Sequence, residues 1–169
     1  MNVNYYKGLG GIYFKSVISN IIKIGNLNQK DRIILDFGCG SKVLSNQLKN
    51  NKVFNYDKDP KYTEHNDYNN LYFNTVVFNH VLMYMNKDEI LSTFKNIKQI
   101  NKNCEFLIGI GKGSFLNKFA ALISFNFTAH KETLLSYDQQ LKILNNEMVF
   151  LKMKKNIFFM TNVFYTKFK

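Results

Sequence analysis

The feature that most constrains this chain is a short apolar run closed by an acid and two glycines. Residues 32–37 read Arg-Ile-Ile-Leu-Asp-Phe, and Gly38-Cys39-Gly40 follow. A continuous aliphatic run of that length reads as a strand covered on both faces. Glycines directly after it let the backbone turn tightly and come close to a ligand, because no Cβ stands in the way. Residues 41–50, with Val43, Leu44 and Leu48 inward, read as a helix. The unit is therefore strand, glycine turn, helix, and the free N–H groups of the helix start point back at the turn.

The rest of the chain repeats this alternation. A helix is expected over 11–24, where Ile12, Val17, Ile18, Ile21 and Ile22 are apolar and Gly25 follows as a cap. Short strands are expected at 52–56, 75–78 and 105–110, with a polar, irregular stretch at 58–72. Residues 87–100 form an amphipathic helix with Ile90, Leu91, Phe94 and Ile97 on one stripe. Further helices are expected at 114–124 and 136–145. Two terminal strands, 148–153 and 156–165, are joined through Lys154-Lys155-Asn156, short enough for a hairpin. Strands alternating with helices predict an α/β, Rossmann-like doubly wound sheet, mostly parallel, with one antiparallel strand from the C-terminal hairpin. At 169 residues and 46% hydrophobic content the chain reads as one domain, 1–169. Within it, 1–28 is an N-terminal arm and helix, 29–169 is the ligand-binding core, and 111–133 is a substrate-side segment.

In such sheets ligands bind beyond the carboxyl ends of the strands. Three ligand classes compete for the turn at residues 38–40. A phosphate loop needs G-x-x-x-x-G-K-[ST], which is absent. A dinucleotide fold needs a third glycine at position 43, where Val43 stands. Asp36, two residues before the first glycine, places a carboxylate beside the turn, which repels a pyrophosphate and suits a cationic ligand.

On these residues the chain resembles class I S-adenosylmethionine-dependent methyltransferases over nearly its whole length. LDFGCG resembles their first motif. Asp57, in FNYDKDP, matches the acid that bonds the ribose hydroxyls in that family. Asp67, in HNDYNN, resembles the acid that meets the adenine amino group, with Tyr68 beside the ring. VVFNHVLMYM is similar to the family's fourth strand and the turn after it, where Asn79 and His80 face the cofactor. HKETLLSYDQQLKILNNEMVFLKM is similar to its late helix and sixth strand. The resemblance implies S-adenosylmethionine as cofactor, held by Asp36, Gly38, Cys39, Gly40, Asp57, Asp67 and Asn79. The chain departs from the family's G-x-G-x-G at Lys42. Each acid also has an ordinary alternative: Asp36 as a strand terminator, Asp57 as a turn residue before Pro60, Asp67 as a member of a polar loop. Cys39 reads as a small filler of the turn and Cys104 as core.

His80 and His130 fall in loops on the expected active-site side and are the candidate catalytic bases; a surface histidine is the alternative for each, and His65 reads as loop. Tyr5 and Tyr6 precede the first helix, where an arm of this fold closes over the cofactor; packing on the sheet edge is the alternative. No metal is expected, since two cysteines and three histidines form no ligand set. The substrate-side segment is rich in Phe and Leu, from Phe115 to Phe127, which points to a small-molecule acceptor or a lipid- or glycan-linked one. The formal charge of +11 makes RNA the alternative acceptor, but 22 of the 23 basic residues are lysines, and Arg32 is the one arginine. Lysine reads phosphates and bases less directionally than the planar guanidinium. A third reading, an inactive binding module, rests on Lys42 alone. No apolar run reaches the ~20 residues of a spanning helix, and a cytoplasmic protein is expected.

Overall fold

The computed structural model describes residues 8–112, 133–156 and 160–169. Tyr5, Tyr6, His130, the helix expected at 114–124 and most of the substrate-side segment lie outside the described residues.

Six strands form one sheet: β1 Ile33–Phe37, β2 Lys52–Tyr56, β3 Thr75–Asn79, β4 Glu105–Gly111, β5 Met148–Lys155 and β6 Thr161–Phe168. Their order is β2-β1-β3-β4-β6-β5. The first four are parallel, β6 runs antiparallel to β4, and β5 runs antiparallel to β6. The sheet is thus mostly parallel with one reversed strand, β6, and the strand order reverses between β1 and β3, at the glycine turn.

Successive strand residues face opposite sides, so each buried strand feeds two cores. On one side α1, Gly8–Gly25, and α2, Val43–Gln47, bring Val17, Ile18, Ile21 and Leu44 onto Ile34, Val77, Leu107 and Val163. On the other, α3, Lys87–Ile100, and α4, Tyr137–Glu147, bring Ile90, Phe94, Ile97 and Leu144 onto Leu35, Phe78, Phe106 and Phe164. Both α3 and α4 open with a reciprocal capping box, Asn86 with Glu89 and Ser136 with Gln139. Each box satisfies two backbone N–H groups that the helix leaves unpaired.

Three local expectations are corrected. The helix at 41–50 shrinks to Val43–Gln47, because Lys42 takes a left-handed conformation, φ 58°, and Leu48 leaves the helix at ψ 50°. The hairpin turns later than 154–156: β5 runs to Lys155 and the side chain of Asn156 closes the connection. Its Oδ1 accepts from the N–H groups of Met160 at 3.0 Å and Thr161 at 3.2 Å. At the end of α1 the left-handed residue is Asn26, φ 52°, not Gly25. Leu27 N–H donates to the Ile22 carbonyl at 3.0 Å, the six-to-one bond of a Schellman ending.

Gly25 serves packing instead. A Cβ there would lie 2.3 Å from Leu107 Cδ1, and Leu107 is fully buried. Gly25→Ala is expected to destabilise the protein by about 1–3 kcal/mol, the usual cost of overpacking. Urea denaturation checks this. In a Leu107→Ala background the same substitution is expected to cost nearly nothing, because the overlap is gone.

Candidate active site

The site begins where β1 ends. Gly38 has φ 75° and Gly40 φ 48°, both in the left-handed region. The N–H groups of Gly38 and Cys39 donate to the Tyr56 carbonyl at 2.7 and 3.1 Å, which ties the turn to the end of β2. Asp57 follows directly. Its Oδ2 accepts from Gly40 N–H at 2.9 Å and its Oδ1 from Asp59 N–H at 3.0 Å. A Cβ on Gly40 would meet nothing within 4 Å, so the turn is open on that side. Lys42, at the family's third glycine, keeps a glycine-like φ of 58°. Its ammonium pairs with Glu64 at 2.7 Å, and Asn55 Nδ2 donates to the same carboxylate at 2.8 Å.

Asp36 is 4% exposed, and no described residue donates a hydrogen bond to its carboxylate. Burial, and then the neighbouring Asp57 charge, push its pKa up to about 7. Lys42 is committed to Glu64 rather than to Asp36. A buried acid without a counter-charge is unfavourable in the free protein and favourable toward an arriving cation. Cys39 is buried too, donating through Sγ to the Tyr62 carbonyl at 3.5 Å. Burial, Asp36 and Asp57 raise its thiol to about 12, so it supplies no thiolate nucleophile.

The remaining sequence candidates are distributed around this turn. Asp67 is exposed; its Oδ1 accepts from the backbone and side chain of Asn69 at 2.9 and 2.7 Å. Tyr68 beside it is buried edge-on against Phe37 and Tyr56, with ring centroids at 5.4 and 5.0 Å. Asn79 ends β3, and its Oδ1 is buried without a hydrogen-bond partner. A Cβ on Gly109 would sit 2.9 Å from that oxygen. His80 follows with φ 59°, its N–H donating to the Gly109 carbonyl at 2.9 Å. His65 packs edge-on to Phe54 at 5.3 Å, in the loop after β2.

Two residues at this end of the sheet escape sequence reasoning. His80 Nε2 lies 3.0 Å from Thr161 Oγ1 and 3.5 Å from the Tyr13 hydroxyl, and Tyr13 and Thr161 are hydrogen-bonded to each other. Tyr13 and Thr161 are 148 positions apart. No spacing rule connects them; only the reversal of β6 carries Thr161 to the carboxyl ends of the parallel strands. Among the described residues no group of three or more His, Cys, Asp or Glu could hold a metal ion. No described helix is long and apolar enough to cross a membrane. Arg32 stands at the other end of the sheet, ion-paired to Glu105 and donating to Thr75 at 3.2 Å.

No family model and no curated protein matches this chain. Solved structures do. A magnesium protoporphyrin IX methyltransferase from Synechocystis with bound S-adenosylmethionine is 15% identical. It covers 100% of this chain and 86% of its own, with a TM-score of 0.61. A protein from Pyrococcus horikoshii is 11% identical, covering 98% of this chain and 94% of its own with a TM-score of 0.73. An S-adenosylmethionine-dependent methyltransferase from Clostridium acetobutylicum is 13% identical, covering 92% of each chain with a TM-score of 0.62. At these identities the likeness is one of fold.

Proposed function

We propose that this chain, which has the fold of class I S-adenosylmethionine-dependent methyltransferases, binds that cofactor and methylates a small-molecule acceptor. The observation that carries the reading is Asp36, a buried carboxyl near the end of β1 with no donor and no neighbouring cation among the described residues. A ligand with an ammonium and a sulfonium supplies the missing positive charge. A phosphate-bearing ligand would meet two acids, Asp36 and Asp57, and a lysine already paired with Glu64.

The residues present fit the cofactor. The space above Gly40 admits a ligand close to the backbone, and the orphaned Oδ1 of Asn79 is an acceptor awaiting a donor. Gly38, Cys39 and Gly40 form the floor, and Asp36 holds the charged amino-acid end. Asp57, its carboxylate oriented by the N–H groups of Gly40 and Asp59, offers acceptors to ribose hydroxyls. Asp67 and Tyr68 line the adenine end. When bound, the cofactor supplies an electrophilic methyl group with a neutral thioether as leaving group. The chain's own work is to align the acceptor with that methyl, exclude water and receive a proton where the acceptor carries one. His80 and His130 are the bases proposed for that last task.

A small-molecule acceptor is favoured over RNA because the one arginine is spent on Glu105, away from the site. The Synechocystis protein, named for a porphyrin substrate, gives the same direction. A lipid- or glycan-linked small acceptor belongs to the same class. The test is titration calorimetry of the purified chain with S-adenosylmethionine, then a methyl-donor assay over small-molecule and bulk RNA pools. A dissociation constant in the micromolar range, about −8 kcal/mol at 1 μM, is expected, with methyl transfer to the small-molecule pool. No cofactor binding at millimolar concentration overturns the reading in favour of an inactive module. Transfer to RNA, with affinity falling steeply as salt is added, overturns the acceptor class.

A further inference from the structure

We propose that Tyr13, Thr161 and His80 form a directional proton relay that holds His80 as its neutral, Nδ1-protonated tautomer and takes the proton of a hydroxyl-bearing acceptor. This rests on the reading above, in which His80 serves the acceptor side of the site.

Direction follows from donor chemistry. Thr161 is fully buried, and its Oγ1 contacts both His80 Nε2, at 3.0 Å, and the Tyr13 hydroxyl. A hydroxyl has one proton to give. A phenol is a stronger donor than an aliphatic alcohol, and burial, against a smaller opposing pull from the Thr161 bond, holds the Tyr13 phenol protonated. In the proposed relay Tyr13 donates to Thr161, its shorter contact, and the Thr161 proton points at Nε2. Nε2 must then carry a lone pair, which leaves the ring proton on Nδ1.

The surroundings fix each member. Asn156 holds the start of β6 through the Thr161 N–H, at 3.2 Å, and carbonyl, at 3.0 Å. Gly111 leaves room for the imidazole, since a Cβ there would lie 3.0 Å from Cε1 and 3.1 Å from Nδ1. Tyr13 and Phe14 pack edge-on to the ring, with centroids at 6.2 and 6.0 Å.

The proton balance closes within the chain. The acceptor O–H breaks and its proton passes to the Tyr13 oxygen. The Tyr13 proton passes to Thr161 and the Thr161 proton to Nε2. One oxyanion and one imidazolium result, and solvent later removes the imidazolium proton. Tyr13 is the residue that touches the acceptor; Thr161 acts through its neighbours.

Nitrogen-15 NMR of the full chain, labelled at histidine and without ligand, tests this at pH 8, with His80→Asn assigning the signal. The wild type is expected to show Nδ1 protonated and Nε2 bare. Thr161→Val is expected to move the ring toward the Nε2-protonated form ordinary for free histidine, and Thr161→Ser to restore the wild-type pattern. Tyr13→Phe is expected to give a partial change in the same direction, and it carries the test if Thr161→Val fails to fold. An Nε2-protonated wild type overturns the proposal, as does a tautomer that neither Thr161→Val nor Tyr13→Phe alters. Calorimetry with S-adenosylmethionine on the same wild-type sample separates the two readings. Loss of cofactor binding with the Nδ1 tautomer present removes the cofactor reading and the acceptor step with it, and leaves the tautomer lock of Tyr13, Thr161 and His80 standing; binding with the wrong tautomer removes the relay alone.

Discussion

Asp36→Asn is expected to weaken S-adenosylmethionine binding by about 100-fold, the size expected when one partner of a buried charge pair is removed, while making the free protein more stable. The two effects have one cause. The Asp36 carboxyl rises from 3.8 to about 7 because burial and Asp57 both disfavour its charge. A rise of that size corresponds to roughly 4 kcal/mol of destabilisation at neutral pH, taken as an order of magnitude. The sign follows from proton binding. Below about pH 4 the group is protonated in both folded and unfolded chains and contributes nothing. Between about 4 and 7 the folded state holds a proton that the unfolded state has released, so stability falls as pH rises. Above about 7 the loss is complete.

The amide variant carries no such charge. Its advantage is expected to be largest at pH 8 and to vanish near pH 4, which thermal melts across that range measure. The amide needs donors and acceptors of its own, so part of the gain is lost to its desolvation. Cofactor affinity of the wild type is expected to fall by up to tenfold per pH unit below about 7, as the carboxyl takes up the proton it must release to meet a cation. A variant that binds as the wild type does, or binding flat from pH 6 to 8, would falsify the role given to Asp36.

Gly38→Ala is expected to cost about 2–4 kcal/mol of stability, combining a left-handed alanine with overpacking, and to remove cofactor binding. The backbone at φ 75° is one that L residues avoid, and the new Cβ would lie 2.4 Å from Val81 Cγ2. These two components separate. Val81→Ala in the same chain opens the space but leaves the dihedral angle. The double variant is therefore expected to recover part of the stability in urea denaturation and little of the cofactor affinity. Binding depends on the turn keeping the bonds from Gly38 and Cys39 to Tyr56 and from Gly40 to Asp57. Full recovery of both would mean that packing alone explains the glycine. Lys42 offers an internal comparison, because it occupies the left-handed region with a side chain projecting to Glu64 instead of into the core.

Much of this fold was legible in the chain because it depends on neighbours in sequence. The strand at 33–37, the glycine turn and the helix at 87–100 follow from runs, periodicity and the steric freedom of glycine, all local properties. The reversed strand was legible from the shortness of its connection, though the turn itself falls later because Asn156 folds its side chain back onto Met160 and Thr161. The capping boxes at Asn86 and Ser136 are local too, since each is a pair of suitable residues three apart. Gly25 stands where a helix-ending glycine is expected, but its reason is Leu107, more than eighty residues away.

The sequence by itself determined the doubly wound sheet, the place of the glycine turn and the acids beside it, because each is set by a few adjacent side chains. The tertiary structure alone decided that no described residue supplies a counter-charge to Asp36, that Lys42 is spent on Glu64, and that Tyr13 and Thr161 meet His80. Desolvation and hydrogen-bond partnership are properties of what surrounds a group in space, and those surroundings come from strands whose order in the sheet is not their order in the chain.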